Sequence, residues 1–225
     1  MKEPNNVGDV LTPVLLERLG YKVEWADHKE AGYVFTGSIA SWAKPGAVVV
    51  GSGIGVTGER LEPTAIYRAV RGPRTRAAVL ASGGQCPAVY CDPALLMPLV
   101  HDRRVVSHNV VGVFAHYCDL EDPQILAGKW NVINPLGDPL AVIDHMRKFS
   151  PILSSSLHGI ILAHAYGIPA AWVRLSDKLF GDGVKFADYA DSVGITLTPY
   201  ARLEDAVPVL PRVDARNLLH LFHDL

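Results

Sequence analysis

A chain of 225 residues with 21 basic and 23 acidic side chains, net charge −2, is long enough to bury a substantial core. Its composition, 49% hydrophobic and 20% charged, excludes a disordered tail. The missing Lys/Arg excess excludes a nucleic-acid binder that works by neutralising many phosphates, and favours a partner of low charge or a small anion held by a few residues.

Asn6-Val7-Gly8-Asp9 leads into an apolar stripe at Val10, Leu11, Val14, Leu15 and Leu19, which predicts a helix that stops at Gly20. Tyr33 to Phe35 and Ala47 to Val50 read as short buried strands, the second closed by the glycine loop Gly51 to Gly55. Ile66 to Val70 is a third strand. Gly72-Pro73 opens a helix through Leu80, with proline in the first turn. The polar stretch from His101 to His108 is the expected boundary between two lobes, 1–104 and 105–225. The second lobe restarts at Val110 to Phe114, continues through Asn131 to Ile133, and crosses a helix from Pro139 to Lys148. Its clearest unit is a β-α-β: Pro151 to Leu153, the turn Ser154 to Ser156, a helix from Leu157 to Tyr166 stopped by Gly167, and Ala170 to Val173. Asp214 to Leu225 reads as a closing helix. The pattern is α/β, and open sheets of this class bind ligands beyond the carboxyl ends of their strands.

Ser154-Ser155-Ser156-Leu157-His158-Gly159 gathers hydroxyls and free N–H groups where a helix begins, a ready site for phosphate or carboxylate. The helix N-terminus disfavours an imidazolium at His158, whereas a bound dianion favours it, so a proton gained with the anion makes His158 a general acid. The competing reading is a serine N-cap with an incidental histidine. Gly51-Ser52-Gly53-Ile54-Gly55 lacks the Lys-Ser/Thr ending of a phosphate loop and reads better as a turn that lets backbone pack closely. Arg71, at a strand end, is the best arginine for an anionic ligand, while Arg74 and Arg76 suit a solvated helix face. Asp9 has a helix-cap alternative, Asp92-Pro93 a turn alternative, and His116, after a strand, a structural one. No metal-ligand spacing and no GxSxG elbow is present.

Cys86, Cys91 and Cys118 are odd in number and follow no secretory signal, which points to free thiols and a cytoplasmic setting. No apolar run approaches the ~20 residues of a membrane span, leaving peripheral contact at the inner membrane face as the only membrane role.

Taken in order, Asn6-Val7-Gly8-Asp9, Gly51-Ser52-Gly53, Arg71-Gly72-Pro73, Asp92-Pro93, His116-Tyr117, Ser155-Ser156-Leu157-His158-Gly159, Tyr166-Gly167-Ile168-Pro169 and Lys185-Phe186 with Asp188-Tyr189 resemble the polysaccharide pyruvyl transferase family. The resemblance implies two Rossmann-like lobes of the glycosyltransferase-B type, phosphoenolpyruvate as donor substrate with no further cofactor, and two hydroxyls of a hexose, free or lipid-linked, as acceptor. It implies His158 as the catalytic group, with Asn6, Gly8, Asp9, Arg71, Asp92, His116, Ser155, Ser156, Gly159 and Lys185 around the substrates. Phe114-Ala115 stand where a proline before the histidine is common in that family. A nucleotide-sugar glycosyltransferase and a non-catalytic carbohydrate-binding protein are the rival readings.

Overall fold

The computed structural model describes residues 6–24, 26 and 30–222. Its described residues form seven short strands, β1 (Tyr33–Val34), β2 (Val48–Val50), β3 (Ile66–Ala69), β4 (Gly112–Phe114), β5 (Asn131–Ile133), β6 (Ile152–Ser154) and β7 (Ala170–Trp172). The α-helices are α1 (Val7–Arg18), α2 (Pro73–Ala81), α3 (Met97–Val100), α4 (Pro123–Leu126), α5 (Pro139–Met146), α6 (Leu157–Ala165) and α7 (Val184–Ser192).

The strands make two all-parallel sheets, ordered β1-β2-β3 and β5-β4-β6-β7. Parallel strands need covering on both faces, and β2, β4 and β6 are accordingly runs of apolar or small residues, nearly all of them buried. In the second sheet the chain passes from β4 to β5 on one side, then returns to β6 on the other. The crevice at the carboxyl ends of β4 and β6 is therefore its topological switch point. His116 follows β4 and Ser155 follows β6, and the His116 N–H donates to Ser155 Oγ at 2.9 Å across that crevice.

Two helices leave the half of the chain to which they belong in sequence. α1 packs against α5 and α3, and its first N–H, from Val7, donates to the Pro135 carbonyl at 2.8 Å. Leu11 and Leu15, one helical turn apart, are fully buried on that face. α7 packs on α2. The Phe186, Tyr189 and Ala190 spacing, with Gly183 in the left-handed region before it, is the signal that marks α7 in the sequence.

The closing helix expected over Asp214 to Leu225 is helical but differently wound: Ala215–Phe222 form a 3₁₀ helix, and residues 223–225 lie outside the described residues. Leu218 with Leu221 and Leu219 with Phe222 repeat every third residue, which a 3₁₀ winding stacks in register. The buried Phe222 ring stacks on Phe35 with centroids 6.1 Å apart.

Candidate active site

A cavity of about 830 Å³ receives residues from the carboxyl ends of both sheets: Phe35 to Ile39 after β1, His116 after β4, and Ser156 to His158 after β6. Asn6 and Asp9 from the start of α1 and Lys185 from α7 complete its inner wall.

His158 stands in the first turn of α6, and its Nε2 is buried without a hydrogen-bond partner. The other side of the ring lies against Gly8, where any Cβ would overlap Nδ1. The first turn of α1 thus meets the first turn of α6 at one imidazole. Neither helix is closed by a side chain, since the N-cap residues Asn6 and Ser156 make no capping bond. The serine-cap reading of Ser156 is thereby set aside. No backbone carbonyl among the described residues meets the N–H groups of Leu157 and His158. The α6 N-terminus thus keeps two N–H groups without a backbone partner in the turn that carries the unpartnered His158 Nε2.

Burial pushes the His158 imidazole down to about 3, and the nearby Arg71, Lys185 and His116 push in the same direction. The ring is neutral at physiological pH in this state. His116 is likewise lowered to about 4 by burial and by Lys185. Its Nδ1 accepts the Cys118 N–H and lies 2.9 Å from Cys118 Sγ, so the ring proton sits on Nε2. Burial also lowers Lys185 to about 8, helped by Arg71, and its Nζ donates to the Phe180 carbonyl at 2.9 Å. Partial desolvation raises the Asp9 carboxyl, against the Asn6 amide that donates to it at 3.2 Å.

Five expected substrate-binding residues do not line this cavity: Gly8, which packs on the His158 ring, and Arg71, Asp92, Ser155 and Gly159. Arg71 has no exposed surface: its Nε meets Asp188 at 3.2 Å, Nη2 donates to the Ile54 carbonyl at 2.7 Å, and Nη1 donates to Ser38 Oγ at 2.8 Å. It is a cation behind the wall, reaching the cavity through Ser38, which does line it. Asp92 is sealed in the interior, where Oδ1 accepts the Ala94 N–H at 3.0 Å, and burial raises its carboxyl to about 6. Ser155 accepts from His116, as above. Gly159 has a packing role, because a Cβ there would overlap Ser154 Oγ and the Phe114 ring.

Residues 6–177 match the family described as polysaccharide pyruvyl transferase. The chain belongs to that family. It is 28% identical over 180 residues to the uncharacterized protein L143 of Acanthamoeba polyphaga mimivirus, a match that covers 76% of this chain and 63% of that protein. It is 30% identical over 161 residues to the succinoglycan biosynthesis protein ExoV of Rhizobium meliloti (strain 1021), covering 66% of this chain and 45% of that protein. The chain thus spans less than two thirds of the length of these relatives. No solved structure matches it.

Several of the segments that carry the family resemblance serve the fold. The glycine loop after β2 lets backbone approach side chains: a Cβ on Gly53 would overlap the Arg71 guanidinium, and one on Gly55 would press on the Phe180 ring. Arg74 is half exposed and pairs with Asp191 at 2.8 Å, as a solvated face requires. Cys86 and Cys91 are buried thiols raised by burial. Sequence reasoning missed Ser38 and the supporting role of Asp188. It also missed Tyr33 and Trp42, aromatic residues on the cavity wall. Among the described residues no cluster of three or more His, Cys, Asp or Glu is placed to hold a metal ion, and no helix is long and apolar enough to cross a membrane.

Proposed function

We propose that this pyruvyl transferase family member transfers pyruvate from phosphoenolpyruvate to two hydroxyls of a hexose as a ketal, in the biosynthesis of a surface polysaccharide. The observation that carries the reading is the buried, unpartnered His158 Nε2 in the first turn of α6, whose N-terminus no side chain caps. That is an anion site with a proton carrier in its wall. Lys185 supplies the inner cation, in the place first expected of Arg71. The two sheets facing one cavity agree with a glycosyltransferase-B type arrangement, which belongs to the same proposal.

Burial, with Arg71, Lys185 and His116 acting in the same direction, holds the His158 ring neutral. A dianionic phosphate reverses that balance and brings the imidazole its proton. His158 then protonates the terminal methylene carbon of the donor while an acceptor hydroxyl attacks the adjacent carbon. The bond from that carbon to the phosphate oxygen breaks, and the second hydroxyl closes the ketal. Two protons leave the hydroxyls: one replaces the proton that became part of the new methyl group, the other departs with phosphate. Asp9, raised toward neutrality and facing the cavity, is the base we assign to the attacking hydroxyl; sealed Asp92 is not placed for it.

Phosphate release from phosphoenolpyruvate in the presence of saccharide acceptors tests the reading. His158→Ala should lower the rate by about 10² to 10⁴ with the fold retained. Near-normal turnover in that variant would remove His158 from the mechanism. Release from a nucleotide sugar instead would favour the glycosyltransferase rival.

A further inference from the structure

The cavity is much larger than a three-carbon donor requires, since a volume of about 830 Å³ lies toward the upper end of the range for drug-sized ligands. His158, Asp9 and Lys185 line one part of it; the aromatic part of its wall has a different chemistry. Tyr33 on the edge strand β1 is 44% exposed and Trp42 is 54% exposed, and both line the same cavity. Large aromatic rings left open to solvent inside a concave site are not explained by core packing.

Tyr33 is held rigidly. Its ring stacks on Phe35 with centroids 5.9 Å apart and 11° between planes, and Phe35 stacks on the buried Phe222 at 6.1 Å and 14°. Three near-parallel rings therefore run from the core to the cavity, the last presenting a flat face whose rotamer is already fixed. A ligand that stacks there loses little to the ordering of its partner. Thr12, Thr36 and Glu24 line the same cavity, hydroxyls and a carboxylate suited to hydrogen-bonding the hydroxyl groups of a ligand. Exposed aromatic faces in a cavity that also carries hydroxyls and a carboxylate match a pyranose, which has C–H bonds on its faces and hydroxyls at its edge.

We infer that Tyr33 and Trp42 form a stacking subsite for a second sugar ring of the acceptor, so that the protein selects an oligosaccharide over a free hexose. The inference rests on the pyruvyl transfer reading for the identity of the reacting sugar, but sugar binding at the platform can be measured without turnover.

The test uses the full chain and equilibrium titration with glucose, galactose, cellotetraose, maltotetraose and laminaritetraose. At least one tetrasaccharide should bind about tenfold more tightly than either hexose. Tyr33→Ala and Trp42→Leu should lose that advantage, Tyr33→Phe should keep it, and affinity for phosphoenolpyruvate should stay within twofold in all three. Equal affinity for tetrasaccharides and hexoses, no binding of any of them, or undiminished binding by both platform variants overturns the subsite. So does a change confined to the sedimentation coefficient, which would make the face a self-association surface. Phosphate release is scored separately. Oligosaccharide binding that depends on Tyr33 and Trp42 supports the subsite even where phosphate release fails, and that failure counts against the transferase reading alone.

Discussion

The Asp188 carboxylate and the Arg71 guanidinium meet at 3.2 Å with neither side chain exposed. The same carboxylate closes a helix to which it does not belong: Oδ1 accepts the N–H groups of Arg74 and Thr75, each at 2.9 Å, and Oδ2 accepts the Thr75 hydroxyl at 2.7 Å. α2 has no side-chain cap of its own, because its N-cap is Gly72, and any Cβ at Gly72 would overlap the Asp188 backbone. One residue of α7 thus neutralises Arg71, caps α2 and joins two segments more than 100 positions apart in sequence. The buried charge behind the cavity wall is held by this arrangement.

Asp188→Asn should cost about 3 to 5 kcal/mol in urea unfolding, since it leaves Arg71 buried without its counter-charge. Asp191→Asn, which breaks the exposed pair with Arg74, should cost less than about 1 kcal/mol. Equal effects in the two variants would show that burial does not govern the Asp188 pair.

Gly8→Ala should impair turnover through His158. The added methyl group overlaps Nδ1, so the imidazole must move from the open end of α6. We expect kcat to fall at least about tenfold with far-ultraviolet dichroism unchanged. Wild-type kcat would mean that the Gly8 contact does not position the ring.

Lys185 is lowered from 10.5 to about 8, so the free protein loses this cation as pH rises through that value. If Lys185 holds the donor, kcat/KM for phosphoenolpyruvate should drop about tenfold per pH unit above pH 8. Lys185→Arg, charged throughout, should flatten this limb. A limb that persists unchanged in the arginine variant would assign it to another group.

Acid should destabilise the fold through His164. Its ring is buried between the Tyr189 hydroxyl at 3.0 Å and the Val209 carbonyl at 2.9 Å, an arrangement that suits the neutral form. Burial lowers it from 6.5 to about 4, so the unfolded chain binds the proton more readily. Its contribution is complete above pH 6.5 and should shrink by about 3 kcal/mol as pH falls to 4. Urea midpoints measured across that window should show a shallower decline in His164→Gln. An identical decline would place the acid sensitivity elsewhere, with His158 and His116 the next groups to test.

Local patterning made much of the scaffold legible. Val48–Val50 is the strand that the apolar run Ala47 to Val50 predicts, and the turn from Ser154 into α6 falls where the serines and Gly167 place it. Those features depend on neighbours a few residues away, so the sequence records them directly. α7 was harder to see, since its helical spacing begins after a glycine-rich loop whose course depends on distant contacts. Thr57 N–H, for example, donates to Asp182 Oδ2 at 3.0 Å.

His158 stands out from the sequence alone because a histidine in the first turn of a helix has an electrostatic setting that local order fixes. The roles of Arg71, Lys185 and Asp9 do not follow from local order. An arginine after a strand reads the same whether its fork meets a ligand or a buried aspartate, and only the packing of α7 on α2 puts Asp188 there. With Arg71 enclosed, Lys185 becomes the inner cation, and the return of the chain's end to Phe35 stacks the rings that make Tyr33 a rigid face. Residue order therefore determined the α/β class, the helix starts and the place of the candidate histidine. Which charges face the cavity was decided by long-range packing, because burial and pairing are properties of neighbours that only the folded chain brings together.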